Sequence, residues 1–226
     1  MIPIGIMASQ ASGGGGSPPE LPDGATAFLD FVNGFYYAGG STQAISALLG
    51  GGFNSGAISG SGMRITPSNG NAPKATGDFL ADLTAGLAAG CTILFALNCN
   101  NSPGGFLAFI ADGANYDVAD NAIIASVGGY IEDYNELGFG DSVTGSGLHK
   151  EAMTLNRDAG GGDYEYAWSK DGGAAVTQTV TYTPFAVDTV LIGHDGVGTG
   201  NTLNDVYVQS ITLYPAKLPT DLPALT

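Results

Sequence analysis

The chain has 226 residues, 37 of them Gly, and sets 6 Lys plus Arg against 21 Asp plus Glu, a formal net charge of −15. Charged residues are 12% of the total, about half the roughly 25% usual in globular domains. Six scattered cations exclude nucleic-acid binding, which needs many phosphate contacts, and no apolar run approaches the roughly 18 residues of a membrane span. The length suits one β-sandwich or α/β domain, or two small ones.

Residues 1–8 are apolar, and alternation places Ile2, Ile4 and Ile6 on one side of an extended chain, with Met7 following. These four residues are predicted to form an anchor arm that docks on another protein, the alternative being that the segment folds back and caps an edge of its own domain. The start has no basic n-region, so a secretory leader is not expected and synthesis is expected to end in the cytoplasm. Residues 9–24, rich in Gly, Ser and Pro, read as a flexible linker. Each buried Ile of the arm is worth roughly 1.5–3 kcal/mol, before the ordering of the tether is subtracted. One arm therefore binds weakly, and stable docking predicts a homo-oligomer, a trimer for preference.

From Ala25 onward the pattern becomes that of one domain, residues 25–226. An opening strand over Ala25–Val32 is followed across Asn33-Gly34 by Phe35-Tyr36-Tyr37, a hairpin signal. Ser41–Leu49, with an N-cap serine and Gly50 behind it, predicts a short helix, and so does Asp78–Leu87, with Phe79, Leu80, Leu83 and Leu87 at helical spacing. Ten further runs alternate as strands do: Met63–Thr66, Thr92–Leu97, Phe106–Ala111, Ala122–Val127, Glu136–Phe139, Ala152–Asn156, Tyr164–Trp168, Ala174–Val180, Val190–Ile192 and Leu203–Tyr214. Many short strands with two short helices predict an all-β, antiparallel jelly-roll β-sandwich behind an extended N-terminal arm. Cys91 and Cys99 bracket one extended run and so stand roughly 26 Å apart, too far for a disulfide. Both are expected to be buried free thiols.

Three stretches carry a family resemblance. Tyr164–Thr177, with Trp168 before Asp171-Gly172-Gly173, resembles a hairpin of concanavalin A-like and laminin-G-like domains. Thr189–Asp195 followed by Leu203–Thr226, with its Tyr214-Pro215 and leucine-bearing tail, is similar to the closing strands of such domains in bacteriophage virion proteins. Leu29–Gly40 and the greasy start resemble the first residues of phage structural proteins. The resemblance implies a concanavalin A-like sandwich in a non-enzymatic virion accessory protein: a head decoration, fibre or tail-associated component. Its location would be the virion and its partners other virion proteins. The alternative it implies is a lectin-like adhesion module that binds a host surface polysaccharide. The family's short terminal helix is placed in doubt here by Pro219 and Pro223.

Such folds also host glycoside hydrolases, whose chemistry requires paired carboxylates. Glu132, Asp133 and Glu136 lack the spacing that puts paired acids on one strand face and read as a solvated acidic turn. Asp163 and Glu165 share a strand face beside Tyr164 without the hydrolase motif, and no enzymatic activity is expected. His149 and His194 have no metal-ligand spacing. Asp112, Asn115, Asp117 and Asp120 crowd one loop with oxygen ligands of the kind Ca²⁺ takes, though not in EF-hand order. Asp195, Asn201, Asn204 and Asp205 form a second cluster, at the loop where the resemblance implies calcium. With 21 acids in the chain, chance clustering competes with both, and no cofactor is required. For glycans, Tyr130 and Tyr134 in a polar stretch are the candidate platforms, while Trp168 is assigned to the core.

Overall fold

The computed structural model describes residues 20–45, 49–51, 58–64, 73–100, 106–111, 122–126, 130–133, 138–139, 145–181, 185–193 and 206–226. In chain order the elements are β1 (Ala27–Asp30), β2 (Phe35–Ala38), β3 (Ser41–Ala44), β4 (Leu49–Gly51), β5 (Ile58–Ser59), β6 (Gly62–Arg64), β7 (Pro73–Ala75) and α1 (Gly77–Ala89). Then follow β8 (Cys91–Cys99), β9 (Phe106–Ala111), β10 (Ala122–Ser126), β11 (Tyr130–Asp133), β12 (Gly138–Phe139), β13 (Gly147–Gly160) and β14 (Asp163–Lys170). The chain closes with β15 (Val176–Val180), β16 (Thr189–Ile192), β17 (Val206–Pro215), a 3₁₀ turn (Pro219–Asp221) and α2 (Leu222–Leu225).

The strands form two antiparallel sheets, as the alternation predicted. One orders its strands β15-β14-β13-β8-β17-β1-β2-β3, with β6 paired to β17 and β5 to β6, and the other runs β12-β11-β10-β9-β16-β7-β4. Each of the ten alternating runs overlaps a strand. Inward residues of β8, Ile93, Phe95 and Leu97, join Ala108 and Ile110 of β9 and Val190 and Ile192 of β16 in one core between the sheets. Central β8 lies between β13 and β17, and its first half, with Thr92 and Leu94 buried on the outer side as well, is covered on both faces, which fits its near-continuous apolar sequence. Trp168 is in this core at 7% exposure, as assigned.

Helix α1 plugs the sandwich through Phe79, Leu83 and Leu87, one per turn and all buried. Phe79 meets Tyr36 edge-on, with ring centroids 5.6 Å apart. The helix stops at Gly90, whose φ is +80°. Behind it, buried Asn156 donates from Nδ2 to the Leu87 carbonyl at 3.1 Å and accepts from the Tyr166 hydroxyl, tying the helix end to β13 and β14.

Three expectations are corrected. The predicted helix at Ser41–Leu49 is a strand at its start: Gly39 and Gly40, with φ of +56° and +78°, turn β2 back on β3 with Ala38 opposite Ser41. A two-residue turn with both φ values positive is the tight hairpin turn, and Ser41 donates to the Ala38 carbonyl instead of capping a helix. The acidic turn is in part a strand, since Glu132 and Asp133 belong to β11, opposite Ile124 and Ile123. The doubted terminal helix does form, as a 3₁₀ turn running into α2, because Pro219 and Pro223 both fall in first-turn positions, where no amide donor is needed. Asn33-Gly34 does lie in a hairpin, but in a four-residue loop; the Asp30 carboxylate accepts from the amides of Val32 and Asn33 at 3.0 Å each.

Cys91 and Cys99 stand at the two ends of β8, both free and buried. Burial pushes their thiols up to about 12 and about 11 respectively. Because a raised thiol stays neutral in the folded state while the unfolded one ionises near 9, stability is full below pH 9 and falls as pH climbs toward 12. Iodoacetamide at pH 8 is expected to leave both unlabelled in the native protein and to label both in denaturant; fast native labelling would contradict the burial.

Candidate outer-face groove

Outward residues of the ten-stranded sheet follow from register and alternation. One cross-strand row runs Lys150, Ala96, Ser210, Asp30, Phe35, and the next runs Ala152, Leu94, Thr212, Phe28, Tyr37. The closing segment of the chain lies over part of this face. Its Leu222, fully buried, packs against Leu94, Ala152, Ala167 and Tyr214. Buried hydroxyls hold the segment down: Thr92 and Thr154 are 2.7 Å apart, Thr92 accepts from the Lys217 amide at 2.9 Å, and Thr154 donates to the Lys217 carbonyl at 3.2 Å.

Where this strap ends, a groove of about 560 Å³ opens, within the roughly 300–1,000 Å³ typical of small-molecule sites. Ala96 and the 71% exposed Leu148 give it an apolar floor, with Lys150 and Gln209 beside them. Gln209 sits at the register shift between Val208 and Ser210, and so at a bulge in β17.

One wall is the turn after β14. Asp171 and Gly172 have φ of +48° and +76°, and the Gly173 amide donates to the Lys170 carbonyl at 2.7 Å, the geometry an Asp-Gly turn favours. The Asp171 carboxylate accepts from the Lys150 amide at 2.9 Å and lies 2.7 Å from His149 Nδ1. His149 Nε2 is 3.0 Å from the Gly145 carbonyl, so the ring is held from both of its nitrogens. The Thr226 hydroxyl accepts from the Gly172 amide at 2.8 Å, joining strap to turn.

Beyond Ser210 the same face carries aromatic rings. Phe28 and Tyr37 are directly opposed on β1 and β2, both half-buried, and Phe35 is 39% exposed. Polar neighbours in the sequence single out Tyr130 and Tyr134 instead. The signal was present: with Leu29 and Tyr36 in the core, alternation sends Phe28, Phe35 and Tyr37 outward.

Tyr130 opens β11, with its side chain outside the described residues, and Tyr134 lies outside them altogether. So do Ile2, Ile4, Ile6 and Met7, the loop of Asp112, Asn115, Asp117 and Asp120, and the cluster Asp195, Asn201, Asn204 and Asp205 with His194. Among the described residues no cluster of three metal-ligating side chains occurs. The two β14 carboxylates are each engaged: Glu165 accepts from Arg157 Nε at 2.6 Å, and Asp163 accepts from the Thr181 hydroxyl at 2.6 Å. A smaller cleft of about 230 Å³ beside α1 is likewise internally bonded, Tyr36 donating to Asp82 and Gln43 to Asp78. Burial together with the Asp82 carboxylate pushes the Tyr36 hydroxyl far up, so it remains a donor.

The chain matches no protein-family model and no curated protein sequence. Among solved structures it is similar to a Trypanosoma rangeli sialidase in complex with 2,3-difluorosialic acid, with a TM-score of 0.52 at 16% identity over 89% of this chain and 32% of that one. The same sialidase in complex with 2,3-difluoro-KDN gives 0.51 at 15% identity over 97% and 35%. The chain thus spans about a third of the length of these enzymes. The CBM40 of Ruminococcus gnavus IT-sialidase, bound to α2,3 sialyllactose, aligns over 64% of this chain and 86% of that one at 16% identity, but its TM-score of 0.46 is too low to carry weight. At such identities the likeness concerns the antiparallel β fold and says nothing of chemistry.

Proposed function

We propose that this domain is a non-catalytic carbohydrate-binding β-sandwich whose ligand lies across the outer face of the ten-stranded sheet. The observation that carries the reading is the combination on one face of a groove holding Lys150 and Gln209 with the Phe28–Tyr37 pair on the two strands that follow β17 in the sheet, β1 and β2. Sugars present apolar C–H faces that stack on aromatic rings, and hydroxyls that take amide and ammonium partners. The engaged state of Asp163 and Glu165 supports binding without cleavage. The structural likeness to a sialidase holding 2,3-difluorosialic acid is one of fold; it makes glycans the first ligand class to try. A virion setting draws on the sequence resemblance alone, so the lectin-like alternative is the reading adopted.

A printed glycan array tests it. The wild-type chain is expected to retain a restricted set of glycans, and the variants Lys150→Ala/Gln209→Ala and Phe28→Ala/Tyr37→Ala are each expected to weaken that binding by about ten-fold or more. Absence of glycan binding above background, or binding indifferent to both double substitutions, would overturn the proposal.

A further inference from the structure

We propose that the groove takes the free end of a glycan chain, because the strap and the Asp171–Gly172 turn close both straight routes out of its corner. The inference rests on the carbohydrate-binding reading and adds which part of the chain is bound. A linear glycan can cross a sheet face in two straight directions, along a strand or across the strands. Along β8, the step from Ala96 to Leu94 runs under the strap, where Leu222 is fully buried against Leu94 and Ala152. Across the strands from Ala96 through Lys150, the path meets the turn, fixed to β13 by the Asp171 amide on the Lys150 carbonyl at 3.0 Å and by the Lys150 amide on the Asp171 carboxylate.

The two barriers are one structure. The Thr226 hydroxyl accepts from the Gly172 amide at 2.8 Å and lies 3.3 Å from the Ser169 hydroxyl, which itself donates to the Gly173 carbonyl at 2.7 Å. Among the described residues, a unit seated beside Lys150, Asp171 and Thr226 is open past Leu148 and toward Ser210, so each straight route is closed at one end and a straight chain enters it by its end. The Ser210 side leads to Asp30 and Phe35 and to the Phe28–Tyr37 pair, so the remainder of the chain runs toward the aromatic rings. The strap sets specificity by excluding the wrong ligand geometry, not by adding an attraction.

The test uses an array in which each common monosaccharide is printed twice, once as a free terminal unit and once inside a linear oligosaccharide. The full chain is expected to favour the terminal presentation by about ten-fold or more. Removal of residues 219–226 is expected to bring that ratio close to one, with the uncovered Tyr214 and Leu94 extending the groove. Leu222→Ala, which loosens the strap without deleting it, is the second variant should the truncated chain fail to fold, and it is expected to lower the ratio. Equal binding of terminal and internal units by the full chain would overturn the inference while leaving carbohydrate binding intact; no binding of either form would overturn both.

Discussion

Gly90→Ala is expected to lower the unfolding free energy by about 3 kcal/mol. Two costs coincide there. The position has φ of +80°, where a side chain is strained, and an added Cβ would stand 2.6 Å from the Asn156 carbonyl oxygen and 3.2 Å from Arg157 Cα. Neither obstacle is the free end of a flexible side chain; both are backbone of β13, itself bent by Asn156 at φ +55°. Relief would require α1 to move away from β13, and with it the Asn156 bond to the Leu87 carbonyl. Gly34→Ala separates the two costs, because its φ is +79° but no atom lies within 4 Å of the added Cβ. That variant is expected to lose about 1 kcal/mol. Urea unfolding of the three proteins measures the difference, and similar losses for the two variants would mean that the close approach at Gly90 is not a constraint.

Phe79→Ala is expected to cost about 3–5 kcal/mol, the range for emptying a buried aromatic site. Phe79 is 1% exposed and faces the Tyr36 ring at an interplanar angle of 64°. Its neighbours come from α1 and both sheets, Leu83, Phe95, Ile110, Val190 and Ile211 among them, so a collapse that fills the void must move all three layers. Phe79→Leu keeps most of the volume and is expected to lose less than about 1.5 kcal/mol. A loss below about 1 kcal/mol for Phe79→Ala would show that α1 is not integral to the core.

The sandwich was legible because its physics is local. Alternation marks which side of β13, β14 and β17 is inside, a near-continuous apolar run marks β8 as the central strand, and helical spacing of Phe79, Leu83 and Leu87 marks α1. The failures have local causes too. Ser41–Leu49 carries helix-like punctuation, yet the preceding Gly39-Gly40 pair supplies the two positive φ values of a hairpin and decides the outcome. Strands β4, β5 and β7 have two or three residues each, too few to show a period.

The candidate site was not legible for a different reason. Ala96, Lys150, Asp171, Gln209 and Thr226 come from five segments, brought together by strand order and by the seating of Leu222, neither of which a sequence period encodes. The outward aromatics were readable, since fixing Leu29 and Tyr36 as core leaves Phe28 and Tyr37 no other side. Polar neighbours point to Tyr130 and Tyr134, whereas alternation against a fixed core points to Phe28 and Tyr37.

The measurement that bears most directly on this account is a chemical-shift titration of the isotope-labelled chain with a glycan retained on the array. Amides of Ala96, Lys150, Asp171 and Ser210 are expected to shift together with those of Phe28 and Tyr37, while those of inward Ile93 and Met153 stay in place. Saturable shifts confined to residues off this face would contradict it.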